Sequence, residues 1–207
     1  MNPQELRADV PALQERTYLN FGAHGPSPRY VVDAASSFLA NHEYGSARND
    51  PYDVAFDAYE DARERIARFI GAEPAEVALT ESTTDGINRI ASAIDWADGD
   101  VVVRTDLEHP AGVLPWQRLE REGVEVRIVE TRDGQVDRDA FTDAVRDARL
   151  VCFSAITWTH GTRLPVQELV EIADDAGAFT LVDGVQTPGQ RAMDVTEWGA
   201  DAVAAAG

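Results

Sequence analysis

Residues 77–206 predict an α/β fold, a mainly parallel sheet with helices on both faces. Two observations carry this. Short apolar runs rich in β-branched residues recur along the chain, and amphipathic helical stretches lie between most of them. The chain shows no internal repeat and no low-complexity segment. The elements follow in order. Residues 27–42 (SPRYVVDAASSFLANH) open with prolines and then run helix-like. Residues 51–70 place Ala55, Tyr59, Ala62, Ile66 and Phe69 on one helical face, with Pro51 suited to the first turn and Gly71 to the position after the last. Candidate strands then appear at 77–80 (VALT), 101–105 (VVVRT), 124–129 (VEVRIV), 150–155 (LVCFSA), 179–183 (FTLVD) and 201–206 (DAVAAA). Candidate helices lie at 84–95, 112–122, 137–147 and 165–176. In such sheets ligands bind beyond the carboxyl ends of the strands, so the informative residues are those just after each run.

Composition narrows the function classes. The chain has 207 residues, enough for one sizeable core, and 44% of them are hydrophobic. All 18 basic residues are arginines against 37 acids, for a net charge of −19. A surface this acidic repels nucleic acid and anionic membranes, and its even spread reads as the solvated surface of a salt-adapted, halophilic-type protein. No apolar run is long enough to span a bilayer, and the polar N-terminal residues are no signal peptide, which points to the cytoplasm. The single cysteine, Cys152, lies in an apolar run and reads as a buried, inert thiol. Glycine fingerprints for dinucleotides or nucleotide phosphates, the H-E-x-x-H zinc motif and the G-x-S-x-G elbow are all absent, and the four histidines lack zinc spacing, so no metal is expected.

Four strand ends offer chemistry. After 77–80 comes Glu81-Ser82-Thr83-Thr84-Asp85-Gly86, a hydroxyl-rich turn opening a helix. Free amides and the helix dipole there suit an anion such as phosphate, with Thr83 and Thr84 adding hydroxyls; an ordinary helix cap is the competing reading. After 101–105 stands His109, which can stack on a ring, move a proton or simply be solvated. After 150–155, Trp158 and His160 either line a pocket or pack under their loop. After 179–183, Asp183 is a carboxylate at the end of a buried strand, so it needs a cationic or hydrogen-bonding partner or else caps the next turn.

Together these segments resemble the class V aminotransferase family of fold-type I pyridoxal-phosphate enzymes, the group that includes cysteine desulfurases. The resemblance rests on YLNFGAHGPSP, ESTTDGIN, LEHPAGVLPW and the long segment from Gly161 to Gly207, in the family's order. It covers residues 17–207 and implies a partial cofactor-binding large domain, preceded by an arm at 1–16. It implies pyridoxal 5′-phosphate as cofactor, with Thr83 and Thr84 at its phosphate, His109 stacked on its ring, Asp183 at its pyridinium nitrogen and Gln186 at its phenolic oxygen. His109 and Asp183 are then the catalytic pair. It also implies an amino acid or amine substrate and a homodimer with the site at the subunit interface.

Three departures stand out. The family pattern continues as Gly-His-Lys, whereas this sequence ends at Gly207, before the Schiff-base lysine, the final large-domain strand and the small domain. Trp158 occupies a position where many desulfurases carry asparagine, which favours the lyase-like and epimerase-like branch. Ala206 stands where many relatives carry a phosphate-binding serine. The chain as written is therefore expected to be inactive. A non-catalytic binding or regulatory module of the same fold is the alternative. A nucleotide-binding Rossmann domain is a third reading, opposed by the missing glycine fingerprint.

Overall fold

The computed structural model describes residues 2–45, 47–48 and 50–206. Gly207, after which the lysine is expected, lies outside the described residues. The chain divides into two compact units, residues 1–62 and 63–207.

In the first unit, α1 (Pro3–Asp9) lies within the expected N-terminal arm. Asn2 starts it: its side chain accepts from the amides of Gln4 and Glu5, and the Glu5 carboxylate returns to the Asn2 amide at 2.9 Å. This is a capping box, in which two otherwise orphaned donors are satisfied reciprocally. α2 (Arg29–Gly45) follows the proline-led segment and has no buried residue. α3 (Pro51–Ile70) begins here and ends in the second unit, with Pro51 in its first turn. It stops where Gly71 takes φ +78° and the Ala72 amide closes onto the Ala67 carbonyl at 2.9 Å. An L side chain at Gly71 would be strained in that conformation and would also meet the Asp194 carboxylate.

The second unit carries the sheet. Its elements are α4 (Thr83–Ala93), β1 (Val101–Thr105), α5 (Leu114–Leu119), β2 (Glu125–Val129), β3 (Thr131–Arg132), β4 (Gln135–Val136), α6 (Arg138–Ala144), β5 (Ala148–Ser154), α7 (Val166–Asp175), β6 (Phe179–Asp183), α8 (Val195–Trp198) and β7 (Ala202–Ala204). Five strands form one sheet in the order β2-β1-β5-β6-β7, and every pairing in it is parallel.

The period-two alternation of strands sends neighbouring side chains to opposite faces. Val101, Val103, Val151, Phe153 and Val182 meet Phe141 of α6 and Leu169, Val170 and Ala173 of α7. Val102, Leu150, Cys152 and Leu181 meet Ile87 and Ala91 of α4 and Trp116 and Leu119 of α5. Both faces of the central strands are therefore covered, as their largely apolar runs require. Cys152 is wholly buried, and burial holds its thiol well above its usual range, so it is inert as expected.

Two local expectations differ from what is observed. Residues 77–80 form no strand, because a strand exists only where a neighbour takes its backbone groups, and no described residue pairs with them. A small antiparallel hairpin, β3–β4, was not expected. Its turn is Asp133-Gly134, with φ of 52° and 78°, the left-handed pair that a two-residue hairpin demands.

No described helix is long and apolar enough to cross a membrane. The net charge of −19 sits largely on the surface, and self-repulsion of that kind opposes the compact state. Raising NaCl from about 0.1 to about 1 M shortens the screening length from about 10 to about 3 Å. A thermal melt across that range should shift upward by about 5 °C, and a downward shift would show that repulsion does not limit stability.

Candidate functional site

The carboxyl ends of β1, β5 and β6, together with the start of α4, gather most of the residues singled out in the sequence. α4 opens with Ser82 as its cap: the Ser82 hydroxyl accepts from the Asp85 amide at 3.1 Å. The first-turn amides of a helix have no partner inside it, and this cap takes only the third. The capping role thus falls to Ser82, which leaves Thr83 and Thr84 for other work. Thr83 is 7% exposed, and its hydroxyl has no hydrogen-bond partner among the described residues. Thr84 is exposed at the same helix start. A buried hydroxyl without a partner carries a desolvation cost that an arriving acceptor would relieve. α4 packs against the turn Pro110–Gly112 and, through Gly86, lies close to Ala204 of β7.

The turn after β1 is built by hydrogen bonds to side chains. The Thr105 hydroxyl accepts from the Leu107 amide at 3.2 Å and donates to Glu108 Oε1 at 2.5 Å. Glu108 Oε2 accepts from the Ser154 hydroxyl at 2.6 Å, so this carboxyl ties the end of β1 to the end of β5. Glu108 is 6% exposed. Burial pushes its pKa up to about 7, against the hydroxyl bonds from Ser154 and Thr105, and the charge of Asp183 adds to the rise. His109 follows directly and is exposed; its Nδ1 accepts from the Ala111 amide at 3.2 Å.

Asp183 ends β6 and is paired in register with Ser154 of β5 and Ala204 of β7. It is 2% exposed and accepts from the Val185 amide at 2.9 Å. Burial raises its pKa, while that amide and the nearby His109 pull it back. Surface ion pairs in this unit join Arg89 to Asp85, Arg127 to Glu125, Arg138 to Glu168 and Arg146 to Asp143; none reaches Asp183 or Glu108. Gln186 is half-buried in the turn that Asp183 caps.

Trp158 joins the site. Its ring meets that of His109 edge-on, with centroids 5.4 Å apart at 86°, and it remains 52% exposed. Its loop is closed on itself. The Thr157 amide bonds the Thr162 carbonyl, the Thr157 hydroxyl accepts from the Thr162 amide, and Ile156 bridges Arg163. His160 is instead exposed and bonds the Thr159 hydroxyl. Ala206 is exposed beyond β7 and brings no hydroxyl.

A cavity of about 760 Å³ lies beside the site, lined by Ala155, Arg163, Leu164, Thr187 and Trp198 among others. None of Thr83, Thr84, His109, Asp183 and Gln186 lines it. The sequence reading assigned no role to Glu108. Its burial depends on Ser154, distant in the chain, which no local pattern shows.

The family model for aminotransferase class-V matches residues 17–207. A probable cysteine desulfurase of Methanothermobacter thermautotrophicus is 35% identical over 206 residues, covering 97% of this chain and 51% of that protein. Another from Halobacterium salinarum is 37% identical, covering 99% and 53%. Among solved structures, the apo cysteine desulfurase of Thermococcus onnurineus NA1 superposes with a TM-score of 0.87 at 30% identity, covering 96% of this chain and 51% of that one. The cystine C–S lyase C-DES, solved with cysteine persulfide, gives 0.88 at 24% identity, a likeness of fold alone. The chain thus spans about half the length of the relatives it matches. Its parallel sheet, its ordered strand-end motifs and a family match over almost its whole length make this chain a member of the class V aminotransferase family.

Proposed function

We propose that the strand-end site of residues 63–207 binds pyridoxal 5′-phosphate within an enzyme that acts on an amino acid or an amine. Asp183 carries the reading. It is a buried carboxylate at the end of a central strand, it lies beside a histidine, and none of the surface ion pairs reaches it. A protonated pyridine nitrogen is the kind of cation that such a carboxylate suits. The unpartnered Thr83 hydroxyl at the open end of α4 supports a phosphate there.

When bound, the cofactor supplies an electron sink for breaking a bond at the substrate's α-carbon or beyond. Asp183 would keep the proton on the ring nitrogen. His109, propped by Trp158, would cover the ring face. Gln186 would bond the phenolic oxygen, and Thr83 and Thr84 the phosphate. Cysteine desulfurase relatives at 35 and 37% identity support an amino acid as substrate. Trp158 in the place of asparagine supports a lyase-like or epimerase-like use of it. The lysine and the small domain would belong to the half of the relatives' length that this chain does not span.

We also assign the whole protein to the cytoplasm and to a homodimer. The dimer is supported by apolar side chains left exposed on α2 (Phe38, Leu39) and on α3 (Tyr52, Phe56, Tyr59).

The test is titration of the 207-residue chain with pyridoxal 5′-phosphate, followed by borohydride and mass spectrometry. Saturable one-to-one binding is expected, without a lysine adduct, because the chain contains no lysine. Thr83→Val should weaken binding about fivefold. Absence of saturable binding, or unchanged binding in both Thr83→Val and His109→Ala, would overturn the reading.

A further inference from the structure

Among the described residues, Glu108 and Asp183 are the buried carboxylates, and the fold brings them to adjoining strand ends. Asp183 is accounted for by the cofactor reading; Glu108 is not. Its carboxyl bridges the Thr105 hydroxyl, where β1 ends, and the Ser154 hydroxyl, where β5 ends. Ser154 in turn stands opposite Asp183 in the register of β5 and β6. A neutral amide of the same size could span the two hydroxyls without the cost of burying an acid, so bridging alone does not explain why an acid is there.

We propose that Glu108 is a positioning residue of the cation site: its bridge holds the His109 turn onto the sheet, and in its ionised form it joins Asp183 as a second negative charge facing the ring cation. This rests on the cofactor reading above. The charged and titratable groups around it are Asp183 from β6, Cys152 from β5, Arg104 from β1 and the neighbouring His109. The Arg104 guanidinium donates from one Nη to the Thr105 carbonyl at 2.8 Å, while its buried Nε has no partner among the described residues. The Cys152 thiol is held neutral by its burial. Burial holds the Glu108 carboxyl at about 7, so its charge changes near neutral pH.

The sign follows from linkage. A cation bound nearby favours the ionised form of Glu108, so binding of that cation tightens as pH rises through the value at which Glu108 loses its proton. Glutamine at this position copies the neutral form at every pH. It can accept from Ser154 through its oxygen and donate to the Thr105 hydroxyl, so the bridge survives while the charge does not.

The probe is pyridoxine 5′-phosphate, which carries the ring cation and the phosphate but no aldehyde. Its affinity for the wild-type chain and for Glu108→Gln is measured by calorimetry between about pH 6 and about pH 8. The two proteins should bind alike at the acid end, and the wild type should gain about fivefold over the variant at the alkaline end. Parallel pH profiles, with the variant weaker by a constant factor, would make Glu108 merely structural and overturn the proposal. Should the variant not fold, the wild type alone decides: calorimetry in Pipes and in imidazole buffer should register net proton release on binding near neutral pH, and net uptake overturns the proposal. A wild type that binds neither this probe nor pyridoxal 5′-phosphate overturns the cofactor reading itself. Binding of both with parallel profiles overturns only the role of Glu108.

Discussion

Replacing Asp183 with asparagine should weaken pyridoxal 5′-phosphate binding by about 30- to 100-fold, the worth of one buried charge-assisted hydrogen bond. The backbone should not move, because an asparagine oxygen can still accept from the Val185 amide, which sits 2.9 Å from the carboxylate. What is lost is the charge that keeps the ring nitrogen protonated. The wild type should lose the same affinity as pH falls. Burial raises the Asp183 pKa, so its carboxylate takes up a proton at a higher pH than an exposed aspartate does.

The ligand-free protein should respond in the opposite sense. Between the unfolded and the raised folded pKa, the folded state holds more protons, so the wild type loses stability as pH rises through that window. Asp183→Asn, which has no charge to bury, should therefore be the more stable protein at neutral pH. Equilibrium dialysis and urea unfolding measure the two effects. Affinity within twofold of wild type would remove Asp183 from the site.

Glu108→Gln should stabilise the ligand-free chain above neutral pH. An unfolded glutamate loses its proton near 4.5, and Glu108 in the folded protein loses it at about 7. Below the lower value both states are protonated and nothing is lost. As pH rises through the window the wild type gives up stability, to a full cost of about 3 kcal/mol above the higher value. The glutamine variant escapes that loss and keeps the Thr105–Ser154 bridge. Urea unfolding at about pH 4.5 and about pH 8 should show near-equal proteins at the first and the variant ahead by up to about 3 kcal/mol at the second. A less stable variant at the alkaline end would show that the ionised bridge is worth more than the burial of its charge costs.

Five of the six runs became strands; the central β1, β5 and β6 are buried between two faces of helices, while β2 lies at the sheet edge and is largely exposed or half-buried. The run at 77–80 has the same character and is not a strand, because no described residue pairs with its backbone. The Asp133-Gly134 hairpin was legible in principle, since its turn chemistry is local, but each flanking strand is only two residues long and carries no apolar period. The helix in the N-terminal arm has a local signal too, an asparagine with a glutamate three residues on, which a polar segment hides.

The candidate site divides along the same line. The sequence by itself determined which residue types follow each strand, and a parallel sheet brings all its carboxyl ends to one edge. That ground puts His109 and Asp183 on one edge, and the strand order, with β5 alone between β1 and β6, brings them close. Which hydroxyl caps α4 was decided by tertiary structure, because Ser82, Thr83 and Thr84 are chemically alike and only the backbone geometry separates the capping serine from the unpartnered threonine. Whether Trp158 packs under its loop or stands against His109 was decided by the closure of the loop from Ile156 to Arg163. Glu108 needed it most. A carboxylate takes its charge state from its surroundings, and those surroundings are Thr105, Ser154 and Asp183, groups from three different strands that only folding brings within reach.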